Sequence, residues 1–363
     1  MIPDRQHINS LTGLRFFAAL WVISLHYLSA PNSLPFLKNF IGLGARAVML
    51  FFILSGFILT YTYAGRTIKI RNYFLARFRR IYPLYLVGII LGLPLIYVMA
   101  DAFLIRRHLV AVLAAYVTGT QAWYPQDGYL LLNQPLWSIS AEFFFYLLFP
   151  FIVGPVFAIA KNLWVTIVCC MLLIAAYLCL QEYSYPLTFK YFPALFKYGA
   201  PIWGWNPLVN LPLFVVGMFL GSLYLRIDPI KLRNKTGDIF LVVTILFLMF
   251  IKLPNQADIV ITLLLFSIGI LTLTQSNGPL SKLISSSPLQ LLGNASYALY
   301  VLHSPLWHYY EFLYSTILRL DKSVTLFFNA GFMFIIIAAA LLVHTAFEIP
   351  IRRMLNRGKI KAS

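Results

Sequence analysis

Long apolar runs alternate with short polar stretches from one end of the chain to the other, and the runs have the length of bilayer spans. The first is Leu11 to Ala30, LTGLRFFAALWVISLHYLSA; about 20 mostly apolar residues suffice to cross hydrocarbon. Further runs lie at about 42–64, 81–100, 103–121, 136–160, 163–181, 208–225, 238–253 and 257–274, then around 294–310 and 324–347. Short loops between them carry the basic residues, above all Arg66 to Arg80 and the tail Arg352 to Lys361. Positive loops stay inside, so both of these read as cytoplasmic. Eleven crossings would put the two termini on opposite sides, which conflicts with that placement. The weakest run is 103–121, which opens with Arg106, Arg107 and His108. Read as re-entrant or interfacial, it leaves about ten crossings and both termini cytoplasmic. The implied fold class is an all-α polytopic transmembrane bundle, one integral membrane domain over residues 1–363.

Composition narrows the function classes. Of 363 residues 61% are hydrophobic and only 11% charged, against about 25% charged in soluble domains. The net charge of +17 belongs mainly to inter-span loops, so it argues for membrane topology and not for a nucleic-acid partner. Cys169, Cys170 and Cys179 share one apolar segment and offer neither a disulfide framework nor metal-ligand spacing. No metal is expected.

Polar residues inside the apolar runs carry the chemistry. Arg15 and His26 stand eleven positions apart in the first run, which returns a helix to within about 20° of its starting azimuth and separates them by roughly 16 Å along the axis. Ionisable side chains in spans cost about 2.5 kcal/mol or more and usually face the bundle interior. Arg46 enters the second run early, and Ser55-Gly56 interrupts it with small residues suited to close helix packing. Arg77 and Arg80 are three apart, a shared face if helical, and guanidinium grips phosphate bidentately. Glu142 is a carboxylate amid Phe143, Phe144, Phe145 and Tyr146, with Ser138 one turn before it. Such a group needs a partner or a proton; a structural ion pair to Arg46 or Arg15 is the bland alternative. Ser296, Tyr300, His303 and Trp307 form one helical stripe, and His303 alone would read as a core histidine.

Five of these elements, in this order along the chain, resemble the acyltransferase-three family of integral membrane O-acyltransferases. They are Arg15 and His26 at their spacing, the LSGF of the second run, the Arg-x-x-Arg of Arg77 and Arg80, PLWSISAE with Trp137, Ser138 and Glu142, and SYALYVLH with Tyr300 and His303. FEIPIRR, with Glu348, Arg352 and Arg353, looks like the family's closing element. The sequence departs from the family where Phe143 follows the Glu instead of a polar residue. The resemblance implies transfer of an acyl group, commonly acetyl, from cytoplasmic acyl-CoA to a hydroxyl of a cell-surface carbohydrate or its lipid-linked precursor, in a bacterial inner membrane. Under it His26, Glu142 and Arg15 are catalytic, with His26 as base and Glu142 as its charge partner. Arg77, Arg80 and Arg46 handle acetyl-CoA, the co-substrate, while Ser138, Trp137, Tyr300 and His303 meet substrate. No hydrolase-like domain follows the last span, the pattern of the stand-alone form. A transporter or flippase for a lipid-linked sugar would also use intramembrane Arg, His and Glu; WSISAE and SYALYVLH favour the enzyme.

Overall fold

Helices account for every regular element among the described residues. The computed structural model describes residues 7–28, 34–98, 109–124, 132–191, 203–226, 235–317 and 325–357. In chain order the α-helices of more than four residues are α1 (Asn9–Tyr27), α2 (Pro35–Gly42), α3 (Arg46–Tyr63), α4 (Ile70–Gly92), α5 (Leu109–Thr118), α6 (Leu136–Ile159), α7 (Leu163–Tyr191), α8 (Pro207–Arg226), α9 (Thr236–Phe250), α10 (Asn255–Leu273), α11 (Pro279–Ile284), α12 (Ser287–Phe312), α13 (Thr325–Val343) and α14 (Ile349–Arg357). A π-helical turn, His344–Glu348, joins the last two.

Six stretches combine the length and the apolarity of a span: Pro35–Tyr63, Leu136–Ile159, Leu163–Tyr183, Pro207–Arg226, Gln256–Leu273 and Phe328–Leu355. Large apolar side chains point outward along them, Trp164 and Phe334 both at 76% exposure, which only a hydrocarbon surrounding makes favourable. The chain is an integral membrane protein. Helices α1, α4 and α12 have the length but fall outside that apolar set. They carry Arg15 and His26, the basic run, and the Ser296–Trp307 stripe, so their polar faces need protein or water rather than lipid.

Three boundaries differ from the sequence reading. Helix α4 begins at Ile70 and runs unbroken to Gly92, so most of the basic 66–80 stretch is helix and not loop. Pro83 is tolerated within it, at the expense of the hydrogen bond its nitrogen would have made. Helix α7 continues to Tyr191, past Glu182 where a loop was expected. Helix α1 stops at Tyr27 because Leu28 turns extended, at φ −104° and ψ 122°; His26 therefore sits in the last turn rather than deep in the span. In the 103–121 region the described helix, α5, has ten residues, about 15 Å, and ends at Gly119 with φ 71°; residues 103–108 lie outside the described residues.

The chain divides into two compact units. The first comprises residues 1–68, 148–182 and 208–294, the second residues 69–147, 183–207 and 295–363. In the first, α3 and α8 approach backbone to backbone. A Cβ on Gly56 would strike the Phe214 carbonyl, one on Gly217 the Ile53 carbonyl, and one on Gly221 would come within 2.7 Å of the Phe57 carbonyl. Gly56 is thus a packing residue, as small residues at membrane helix contacts usually are. Gly217→Leu is expected to push the helices apart and cost about 1–3 kcal/mol, read as a lower melting temperature in detergent. Gly154→Ala, where nothing lies within 4 Å, should leave it unchanged or slightly raise it. Equal melting of the two variants would dismiss the contact as a stability determinant.

In the second unit, α4 and α12 are tied by a buried amide. Pro305 in α12 cannot donate to the Val301 carbonyl, and Asn133 Nδ2 fills that place at 3.1 Å while also donating to Gly88 O at 3.1 Å.

Candidate active site

The second unit is built around the first turns of α6. A polar network anchors them from below. Gln121 Nε2 donates to Leu136 O at 2.8 Å, and Ser140 Oγ donates to Gly119 O at 2.6 Å. The Tyr85 hydroxyl lies 2.7 Å from Tyr116 O and 3.1 Å from Gln121 Oε1. The Asn133 main-chain N–H donates to the Tyr116 hydroxyl at 3.3 Å. Tyr85, Tyr116 and Gln121 are each fully buried; in a dry interior such groups stay only when partnered, and a satisfied network fixes one geometry.

On this base WSISAE meets SYALYVLH. Ser138 Oγ lies 2.9 Å from the Tyr300 hydroxyl and 3.1 Å from Pro135 O. Glu142, half-buried on the next turn, interacts electrostatically with both the Tyr297 and the Tyr300 phenols. Trp137 stacks on Trp205 with ring centroids 5.5 Å apart and planes within 10°. His303 is completely buried, and its Nδ1 sits 2.6 Å from the Tyr300 carbonyl. A neutral ring there donates from Nδ1 and leaves Nε2 as the acceptor. The structure thus brings Ser138, Glu142, Tyr300 and His303 onto two adjoining helices. Together they offer a carboxylate, a phenol, a hydroxyl and an imidazole in apolar surroundings, where electrostatic effects on a reacting group are largest.

Arg77 and Arg80 stand half-buried on α4. The Arg77 guanidinium lies 6.0 Å from the Tyr73 ring centre. Its Nε is buried and has no hydrogen-bond partner among the described residues.

Arg15, His26 and Arg46 belong to the first unit. Arg15 and His26 share the unbroken helix α1, as their spacing requires, and the His26 side chain is exposed. Trp21 is about 240° around the helix from Arg15 and lines a cavity of about 440 Å³ with Leu14, Phe17, Phe40, Leu248 and Phe266. Helix α1 therefore shows an ionisable stripe on one side and an apolar hollow on the other. Arg46 finds its carboxylate in Asp258 of α10, with Nη2 and Nε 3.0 and 3.3 Å from Oδ2.

Sequence reasoning missed Tyr297, Gln121 and Asn133. Tyr297 falls between Ser296 and Tyr300 but off their stripe. The amides of Gln121 and Asn133 sit in the polar loops on either side of 125–131, and only burial distinguishes them.

The profile of the family described as "Acyltransferase domain" (Acyl_transf_3) matches residues 8–344, and the chain belongs to this acyltransferase-three family of membrane acyltransferases. It is similar to acyltransferase MdmB of Streptomyces mycarofaciens, 28% identical over 99% of this chain and 95% of that protein. Peptidoglycan O-acetyltransferase OatA of Listeria monocytogenes is 26% identical over 84% of this chain. The chain covers about half of that OatA, 49% of its length, and in the Staphylococcus aureus OatA the similarity covers 25%, at 27% identity. No solved structure matches.

Proposed function

We propose that the chain moves an acyl group, acetyl by default, from acyl-CoA on the cytoplasmic side to a hydroxyl of a surface carbohydrate or its lipid-linked precursor. The observation that carries this reading is the junction of WSISAE with SYALYVLH, where Ser138 Oγ lies 2.9 Å from the Tyr300 hydroxyl one turn before Glu142. The O-acetyltransferase names of two relatives support a hydroxyl as the acceptor. Transfer forms one C–O bond and breaks one C–S bond. The acceptor hydroxyl gives its proton to His26, its oxygen attacks the thioester carbonyl, and the tetrahedral intermediate expels the thiolate. The thiolate then takes the proton from the imidazolium, so none is gained or lost. Glu142 supplies negative charge to offset the transient cation, and Arg15, roughly 16 Å along α1 from His26, attends to the donor's phosphates. Ser138, Trp137, Tyr300 and His303 shape the acceptor side. Arg77 and Arg80 hold the donor's phosphates, with the buried Arg77 Nε as the motivating feature. Arg46, which the resemblance assigned to the donor, has its guanidinium on Asp258. Both termini face the same pool of acyl-CoA.

The test is kinetic. Arg77→Gln or Arg80→Gln should raise the KM for acetyl-CoA about tenfold, roughly 1.4 kcal/mol of lost binding, with kcat nearly unchanged. That split marks uniform binding. Wild-type protein in detergent that neither binds nor turns over acetyl-CoA would refute the donor assignment.

A further inference from the structure

Four main-chain carbonyls of α4 are held by side chains from elsewhere in the second unit. Arg352 reaches Arg80 O at 3.4 Å, Tyr297 reaches Ile81 O at 2.9 Å, Asn133 reaches Gly88 O, and Tyr309 reaches Leu91 O at 2.6 Å. The first of these lies on the basic turn itself, and its donor is not free to wander. Arg352 Nη2 is 2.5 Å from Glu348 Oε1, while Glu348 Oε2 is 2.7 Å from His344 Nδ1. The Glu348 side chain is only 3% exposed, whereas that of Arg352 is 33% exposed. A carboxylate this dry tolerates no loss of its cation, so it fixes the guanidinium it holds. The π turn His344–Glu348 is what sets this chain of groups on α4, and such turns are frequent at functional sites. Glu348 and Arg352 also lie beyond residues 8–344, the part matched by the family profile.

We infer that the Glu348–Arg352 pair is a positioning device for the donor site. It clamps the Arg80 turn of α4 so that Arg77 and Arg80 meet the phosphates of the acyl donor already oriented. Neither residue touches the reacting atoms. Pre-ordering of this kind strengthens binding by removing the cost of ordering the site when the ligand arrives. The inference rests on the reading of the donor as acyl-CoA, and the experiment separates the two.

Acetyl-CoA and acetyl-pantetheine carry the same thioester, but the second has no phosphates. The readout is the ratio of kcat/KM for the two donors, measured in detergent with one acceptor preparation. Wild type should favour acetyl-CoA. Arg352→Lys, which keeps the charge but has no planar guanidinium to hold Glu348 and the Arg80 carbonyl together, should shrink that preference about tenfold, the size of one charge-assisted contact, with acetyl-pantetheine used as before. Glu348→Gln should shrink it likewise, and it serves where Arg352→Lys does not fold. An equal fall with both donors would mean that the pair only packs the helix end, and wild-type values with both would mean that it does not act on the donor site; either result overturns the inference. A wild type with no preference between the donors refutes the phosphate reading of Arg77 and Arg80, and the clamp with it.

Discussion

Replacing His26 with alanine should abolish turnover while leaving a folded, membrane-inserted protein. The expected fall in kcat is about 10²–10⁴-fold, the usual contribution of a general base. Stability should hold because the side chain is exposed in the last turn of α1, whose packing rests on Phe16, Ala19, Val22 and Ile23 instead. The residue type suits the proposed role, because the unperturbed pKa of an imidazole lies near neutrality, where it can take a hydroxyl proton and return it to a thiolate. Turnover and melting temperature are to be measured on one preparation. Wild-type-like activity in His26→Ala would remove this residue from the mechanism.

Glu142→Gln is expected to be nearly as damaging, by about 10²-fold or more, with acetyl-CoA binding preserved. The change keeps the shape, deletes the charge and turns one acceptor oxygen into an N–H donor. Were Glu142 half of a structural ion pair, the same change would strand a buried cation and cost about 3–5 kcal/mol of stability. Arg46, one cation considered for that pairing, already holds Asp258 at 3.0 Å. A Glu142→Gln protein that melts early, yet whose folded fraction works normally, would sink the catalytic role.

The helices themselves were legible because hydrocarbon imposes a length and a polarity on each span, and the apolar runs reappear as helices among the described residues. Their ends were less so. Charge made Arg71, Arg77 and Arg79 look like loop, although α4 carries them as helix. Pairings that depend on distant chain segments were invisible. Arg46 and Asp258 are 212 positions apart, and nothing in either neighbourhood names the other. Ser138 and Tyr300, separated by 162 positions, were singled out separately, but their contact belongs to the fold. Asn133 shows the same limit: its value comes from Pro305, which leaves the Val301 carbonyl for it to fill.

The π turn at His344–Glu348 makes the azimuth of Arg352 depend on the type of turn before it as well as on its own side chain. A π turn amounts to one residue inserted in an α-helix, and each residue rotates the remainder of the helix by about 100°. The wider turn takes up that extra residue, so closing the segment into regular α at unchanged length would swing Arg352 by about 100°, away from the Arg80 carbonyl. Every side chain would survive and the register would not. Deleting one residue together with the π turn would instead leave Arg352 near its present azimuth.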